Sequence, residues 1–182
     1  MPSAIEILVQ HLDRCHEDLR AAVHSVPFVL RDRQPPGGGW SVAQVVEHLA
    51  HADRLFTQLL AKYVGELRGQ PADNVDAAGV LQRRRLLAVL DRNTRVESRE
   101  WIQPVQNWSI DQALRNLEDE RRRLVLTVRS AEGVPLSIVS YAHFILGDLN
   151  LYEWIGFVGY HEMRHAAQIR EINIALECTP KS

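Results

Sequence analysis

Apolar residues recur at alternating spacings of three and four along most of this chain, and they predict four long amphipathic helices. Residues 3–26 carry Ile5, Leu8, Leu12, Cys15, Leu19, Ala22 and Val26 in one narrow stripe, the first helix. It stops before Pro27, and residues 31–39 hold Pro35, Pro36 and three successive glycines, which no helix interior tolerates. Ser41 is placed as an N-cap with Gln44 as its capping-box partner. The second helix follows with Val42, Val45, Val46, Leu49, Ala52, Leu55, Phe56 and Leu59 on one face, fading near Gly65.

Residues 72–105 are less regular. Val80, Leu81, Leu86, Leu87 and Leu90 suggest a shorter helix, followed by an irregular connection up to Pro104. Ser109 then caps a third long helix through Ile110, Ala113, Leu114, Leu117, Leu124 and Val128, ending near Gly133 and Pro135. The last helix starts near Leu151, and its stripe reads Leu151, Trp154, Val158, His161, His165, Gln168, Ile172 and Ala175. Period-two strand signals are nearly absent and no internal repeat is visible, so the expected fold is an all-α four-helix bundle forming one domain over residues 1–182.

Two histidines interrupt that last stripe one turn apart. Residues at i and i+4 sit one above the other on a helix, so His161 and His165 direct two imidazoles at one point. A metal held by two ligands needs a third from a facing element, and His48 lies on the inward face of the second helix, between Val45, Leu49 and Ala52. His11, His16, His24 and His51 fall near helix edges or polar positions, and His143 in a connection; these read as solvated or simple hydrogen-bonding residues. A rival reading makes all three inward histidines core residues with no metal.

His161-Glu162-Met163-Arg164-His165 also spells the His-Glu-x-x-His pattern of zinc proteases. Gln168 and Glu171 continue the helical stripe where the protease branch with a third downstream histidine places a helix-breaking glycine, so a protease is not expected. Glu162 is left to face a neighbouring helix or solvent. Gln44 and Gln168 are both placed to orient a ligand imidazole, Gln44 being better explained as the cap partner. Trp154 and Tyr160 are candidates to line a pocket or to fill the core.

Charge and composition narrow the function classes. With 21 Lys+Arg against 23 Asp+Glu the net charge is -2, and the arginine triplets at 83–85 and 121–123 read as solvated helix faces, so nucleic acid is not an expected partner. No apolar run approaches the roughly 18 residues that span a bilayer, so no membrane partner is expected. Two cysteines and a start without a signal-peptide pattern suggest a cytoplasmic protein with reduced thiols.

Trp40-Ser41-x-x-Gln44-x-x-x-His48-Leu49 together with His161-x-x-x-His165-x-x-Gln168-Ile169 resembles the DinB-like (YfiT-like) superfamily of metal-dependent hydrolases and thiol transferases. The resemblance implies a four-helix bundle, often a homodimer, with a divalent metal on His48, His161 and His165. Imidazole ligands suit zinc or nickel foremost, with iron, manganese or copper also compatible. Three neutral ligands leave the ion's charge uncompensated, so a bound water or thiol is acidified; hydrolysis and thiol transfer to a small electrophile are both open. By family analogy the expectation is a bacillithiol- or mycothiol-type S-transferase using a low-molecular-weight thiol. The alternative is a non-enzymatic, metal-binding stress-response protein.

Overall fold

The computed structural model describes residues 2–94, 96 and 98–178. Helix α1 spans Ala4–Ser25, and Ser3 and Glu6 form a capping box at its start. Helix α2 spans Val42–Leu67, with the Ser41–Gln44 capping box at its start. Each box satisfies backbone N–H groups that a helix start leaves without intrahelical partners. The segment expected to hold one shorter helix holds two very short ones, α3 (Ala77–Leu81) and α4 (Arg84–Leu87). Single 3-10 turns follow at Ala88–Leu90 and Glu100–Ile102. Helix α5 spans Ile110–Ser130 behind its Ser109 cap.

A hairpin that the periodicity does not reveal precedes the last helix. Strand β1 (Ser140–His143) pairs antiparallel with β2 (Gly147–Asn150), with Tyr141 opposite Leu149 and His143 opposite Gly147. Each strand buries one residue, His143 and Leu149, too few to write an alternating pattern. Asn150 ends the hairpin and caps α6 (Leu151–Glu177), forming a capping box with Glu153. Glu153 also binds Arg83 at 2.6 Å and Arg85, so that part of the first arginine triplet is an anchor for the connection and not a free solvated face. Among the described residues, no helix is long and apolar enough to cross a membrane.

Helix α2 lies along α5 and α1 along α6, and the pairs meet through α1–α5 and α2–α6 contacts. The core divides into two apolar clusters. One contains Leu8, Leu12, Leu60, Leu124, Leu151 and Ile155; the other contains Leu19, Val46, Leu49, Ile110, Leu117 and Ile169. Helices α1 and α6 pass from the first cluster to the second, and α2 and α5 from the second to the first, so each pair of neighbours runs parallel.

All four helices change cluster at a buried polar residue: His16, Asp53, Arg121 and Glu162. Arg121 Nη2 lies 3.1 Å from Asp53 and 2.6 Å from Glu162, and His16 Nδ1 lies 2.9 Å from Glu162. Arg121 thus corrects the expectation of a solvated triplet; Arg122 and Arg123 do face outward, on Asp119 and Glu120. His16 is likewise buried, as are His11, whose Nε2 donates to the Gly156 carbonyl at 3.0 Å, and His51; His24 is exposed. Glycine is required at 159, where a Cβ would sit 2.3 Å from the His11 ring.

Removing one member of a buried ion network leaves its partners desolvated and unpaired. Arg121→Leu is therefore expected to destabilise the fold by about 3–5 kcal/mol, read from urea unfolding. Burial alone would lower the His16 pKa, but the hydrogen bond and charge of Glu162 outweigh it and raise it above the ordinary 6.5. That stabilisation is complete below about pH 6.5 and is lost as pH rises through the folded value. His16→Gln should flatten the dependence of the urea midpoint on pH across that interval.

Candidate metal centre

His48 enters from α2 and His161 and His165 from α6. Their Nε2 atoms converge, His161 lying 3.2 Å from His48 and 3.1 Å from His165. His48 and His165 are buried, whereas His161 is partly open to a cleft. The outer nitrogens fix the tautomers. His48 Nδ1 donates to the Ile102 carbonyl at 2.8 Å, and His165 Nδ1 donates to Gln168 Oε1 at 2.7 Å. Both Nε2 atoms therefore present lone pairs inward.

Burial pushes His48 down to about 4. It pushes His161 and His165 well below the usual imidazole range, with their neighbouring histidines adding to the effect. The three rings are thus neutral at physiological pH, the form that binds metals. A neutral His161 has at most one proton on Nε2 to offer two facing lone pairs, so the cluster lacks a positive centre. A tetrahedral ion with bonds of about 2.0–2.1 Å would hold such nitrogens roughly 3.3–3.4 Å apart, close to the spacings observed. This donor set could hold a divalent ion.

The trio lies in the floor of a cleft of about 1760 Å³, walled by residues from the 35–40 loop, the α4–α5 connection, the hairpin and α6. Phe157 stacks on His161 at 5.4 Å between centroids, and Trp40 lies 5.0 Å from His48. Trp154 lines the cleft. Tyr160 does not: its hydroxyl donates to the Leu81 carbonyl at 2.9 Å, and its ring packs on His11. Glu162 points into the Arg121 layer and away from the three histidines, so it is not placed as a protease's general base. Gln44 serves the cap, as expected.

Four residues that shape the site carry no motif. The buried Glu47 carboxylate accepts from the backbone of Gln106 and Trp108 at 2.7 and 3.1 Å, tying the connection to α2. That connection delivers the Ile102 carbonyl. Arg164 donates to the carbonyls of Val89, Asp91 and Thr94, holding the cleft wall. His143, expected to be solvated or a simple hydrogen-bonding residue, does accept hydrogen bonds but is buried against Trp154 and Phe157 and not solvated. Glu47 and Arg164 lie off the apolar stripes of their helices, so periodicity gives no signal for either, and a backbone carbonyl has none.

A largely helical chain whose inward histidines converge in this way falls into a recognised class. Residues 11–169 match the model of the DinB superfamily, and the chain belongs to that superfamily. It is 25% identical over 147 residues, covering 80% of this chain and 85% of the relative, to the uncharacterized protein YuaE of Bacillus subtilis (strain 168). No solved structure matches.

Partners that orient a ligand imidazole typically matter ten- to a hundredfold for metal affinity. Gln168→Leu, which removes the acceptor of the His165 Nδ1–H, is expected to weaken retention of a divalent ion by roughly that factor in competition with a chelator.

Proposed function

We propose that this protein is a metal-dependent enzyme that binds a divalent ion, zinc or nickel foremost, through His48, His161 and His165, and transfers a low-molecular-weight thiol to a small electrophile. In this reading the four long helices are a single-domain four-helix bundle of a cytoplasmic homodimer. The observation that carries it is the convergence of three Nε2 atoms, two with fixed tautomers, in the floor of an open cleft. A purely structural ion would be closed off by four protein ligands, whereas a cleft with room for a substrate favours catalysis.

A divalent ion in that position supplies Lewis acidity, the chemistry by which a thiol or a water gives up its proton near neutral pH. The chain's own residues prepare the place. The Ile102 carbonyl and Gln168 hold the lone pairs of His48 and His165 inward, and Trp40 and Phe157 make the surroundings apolar, which strengthens electrostatic interactions within the cleft. The protein's own thiols are unsuited to the reaction. Burial, and then the negative charge of Glu162, push Cys15 up to about 12. Cys178 lies thirteen residues beyond His165, about 20 Å along the helix. This favours a nucleophile that arrives as a small molecule.

Purified protein should carry close to one divalent ion per chain by elemental analysis, and His48→Ala or His161→Ala should lose it. Metal content unchanged by either substitution would sink the assignment. Turnover of an activated aryl halide with a panel of bacillithiol, mycothiol, glutathione and cysteine should require a thiol and stop on chelation. Thiol-independent turnover of an ester would point to hydrolysis instead.

A further inference from the structure

The hairpin brings a fourth histidine into the cleft in a fixed chemical form. His143 Nδ1 accepts the backbone N–H groups of both Ile145 and Leu146, each at 3.2 Å. A nitrogen that accepts in this way carries no proton, so the neutral ring keeps its hydrogen on Nε2. Burial, and then the positive charge of Arg99, push His143 down to about 4, leaving the neutral form in place at physiological pH. Its Nε2–H has no partner among the described residues, and the ring lines the cleft. With its lone pair engaged by the loop, His143 is unavailable as a base and is a standing hydrogen-bond donor.

Charge on the same wall indicates what this donor meets. Three described arginines line the cleft. Arg92 is paired with Glu171, and Arg164 is engaged by backbone carbonyls. Arg99 has neither a carboxylate nor a carbonyl partner for its guanidinium among the described residues; it lies 4.5 Å from the Phe144 ring centroid and 5.9 Å from that of Trp101. The carboxylates of the cleft are already engaged: Asp53 by Arg121, Glu171 by Arg92, and Asp91 by Asn93 and Thr94. Phe144 stacks on His143 at 4.7 Å, His143 packs on Phe157 at 4.5 Å, and Phe157 stacks on His161 at 5.4 Å. A continuous row of rings therefore leads from Arg99 to the three histidines.

We infer that this wall is a substrate-anchoring subsite: Arg99 and the His143 Nε2–H receive a carboxylate, and the ring row carries an apolar body whose other end reaches His161. The electrophile is then an aromatic or otherwise apolar carboxylic acid. The assignment of a reactive end rests on the proposed function, but carboxylate capture does not require the metal.

The test titrates phenylacetate and its neutral counterpart phenylacetamide against the full-length protein, as purified and after chelation, following tryptophan fluorescence. The acid should bind at least roughly tenfold tighter than the amide in both preparations. Arg99→Gln and His143→Asn should each abolish that preference. The asparagine amide keeps an acceptor where Nδ1 stood and lacks the distal donor, so the hairpin is retained. Should that variant fail to fold, Arg99→Gln and nitrogen NMR of the wild-type imidazole decide: His143 must show the Nε2–H tautomer, and its Nε2–H resonance must shift with phenylacetate and not with phenylacetamide. No preference in the wild-type protein overturns the inference, as does a preference surviving Arg99→Gln. A preference that disappears on chelation means the ion itself takes the carboxylate, which overturns the subsite while leaving the metal reading intact. A preference found in a protein that carries no metal even as purified, before any chelation, upholds the subsite and removes the metal reading.

Discussion

One buried guanidinium determines how the four long helices face one another. Arg121 reaches from α5 to Asp53 on α2 and Glu162 on α6, and Glu162 continues the contact to His16 on α1. Its Nε and Nη1 have no hydrogen-bond partner among the described residues, so charge pairing more than complete hydrogen bonding holds this layer. Successive residues on a helix point about 100° apart. With Glu162 fixed toward Arg121, α6 has one rotation available, and that rotation turns His161 and His165 toward His48. The interaction that joins the two apolar clusters therefore also aims the candidate metal centre, from an adjoining face of the same helix.

The three histidines and the helices that bear them were legible because both depend on local periodicity. A ligand pair at i and i+4 and a stripe at three and four are patterns a helix writes into its own sequence. The caps at Ser41 and Ser109 were legible for the same reason, since the capping residue and its target lie three apart. What escaped was set by contacts between distant segments. Arg121 sat in a run of three arginines whose other two do face solvent. His143 sat in a hairpin whose strands each bury a single side chain. His11 and His16 lay at the margin of the α1 stripe, and only the approach of α6, with glycine at 159 and glutamate at 162, buries them.

The environment of the centre follows the same division. Donor atoms come from regular helices, while much of what tunes them comes from the irregular chain between α4 and α5. Burial makes the imidazoles neutral, but the Ile102 carbonyl decides which nitrogen of His48 faces inward, and Glu47, the residue before His48, holds the chain that carries it. The one tuning contact visible beforehand, Gln168, lies on the same helix as the histidine it orients.

The short turn at Glu100–Ile102 has an evolutionary corollary. Arg99 at its front edge chooses what is bound, and the Ile102 carbonyl at its back edge sets the basicity of a ligand, only three residues apart. An insertion or exchange in this connection alters selectivity and the electronic character of the centre in a single event, with the helical scaffold unchanged. Such a change leaves the apolar clusters intact, because none of residues 99–102 is buried.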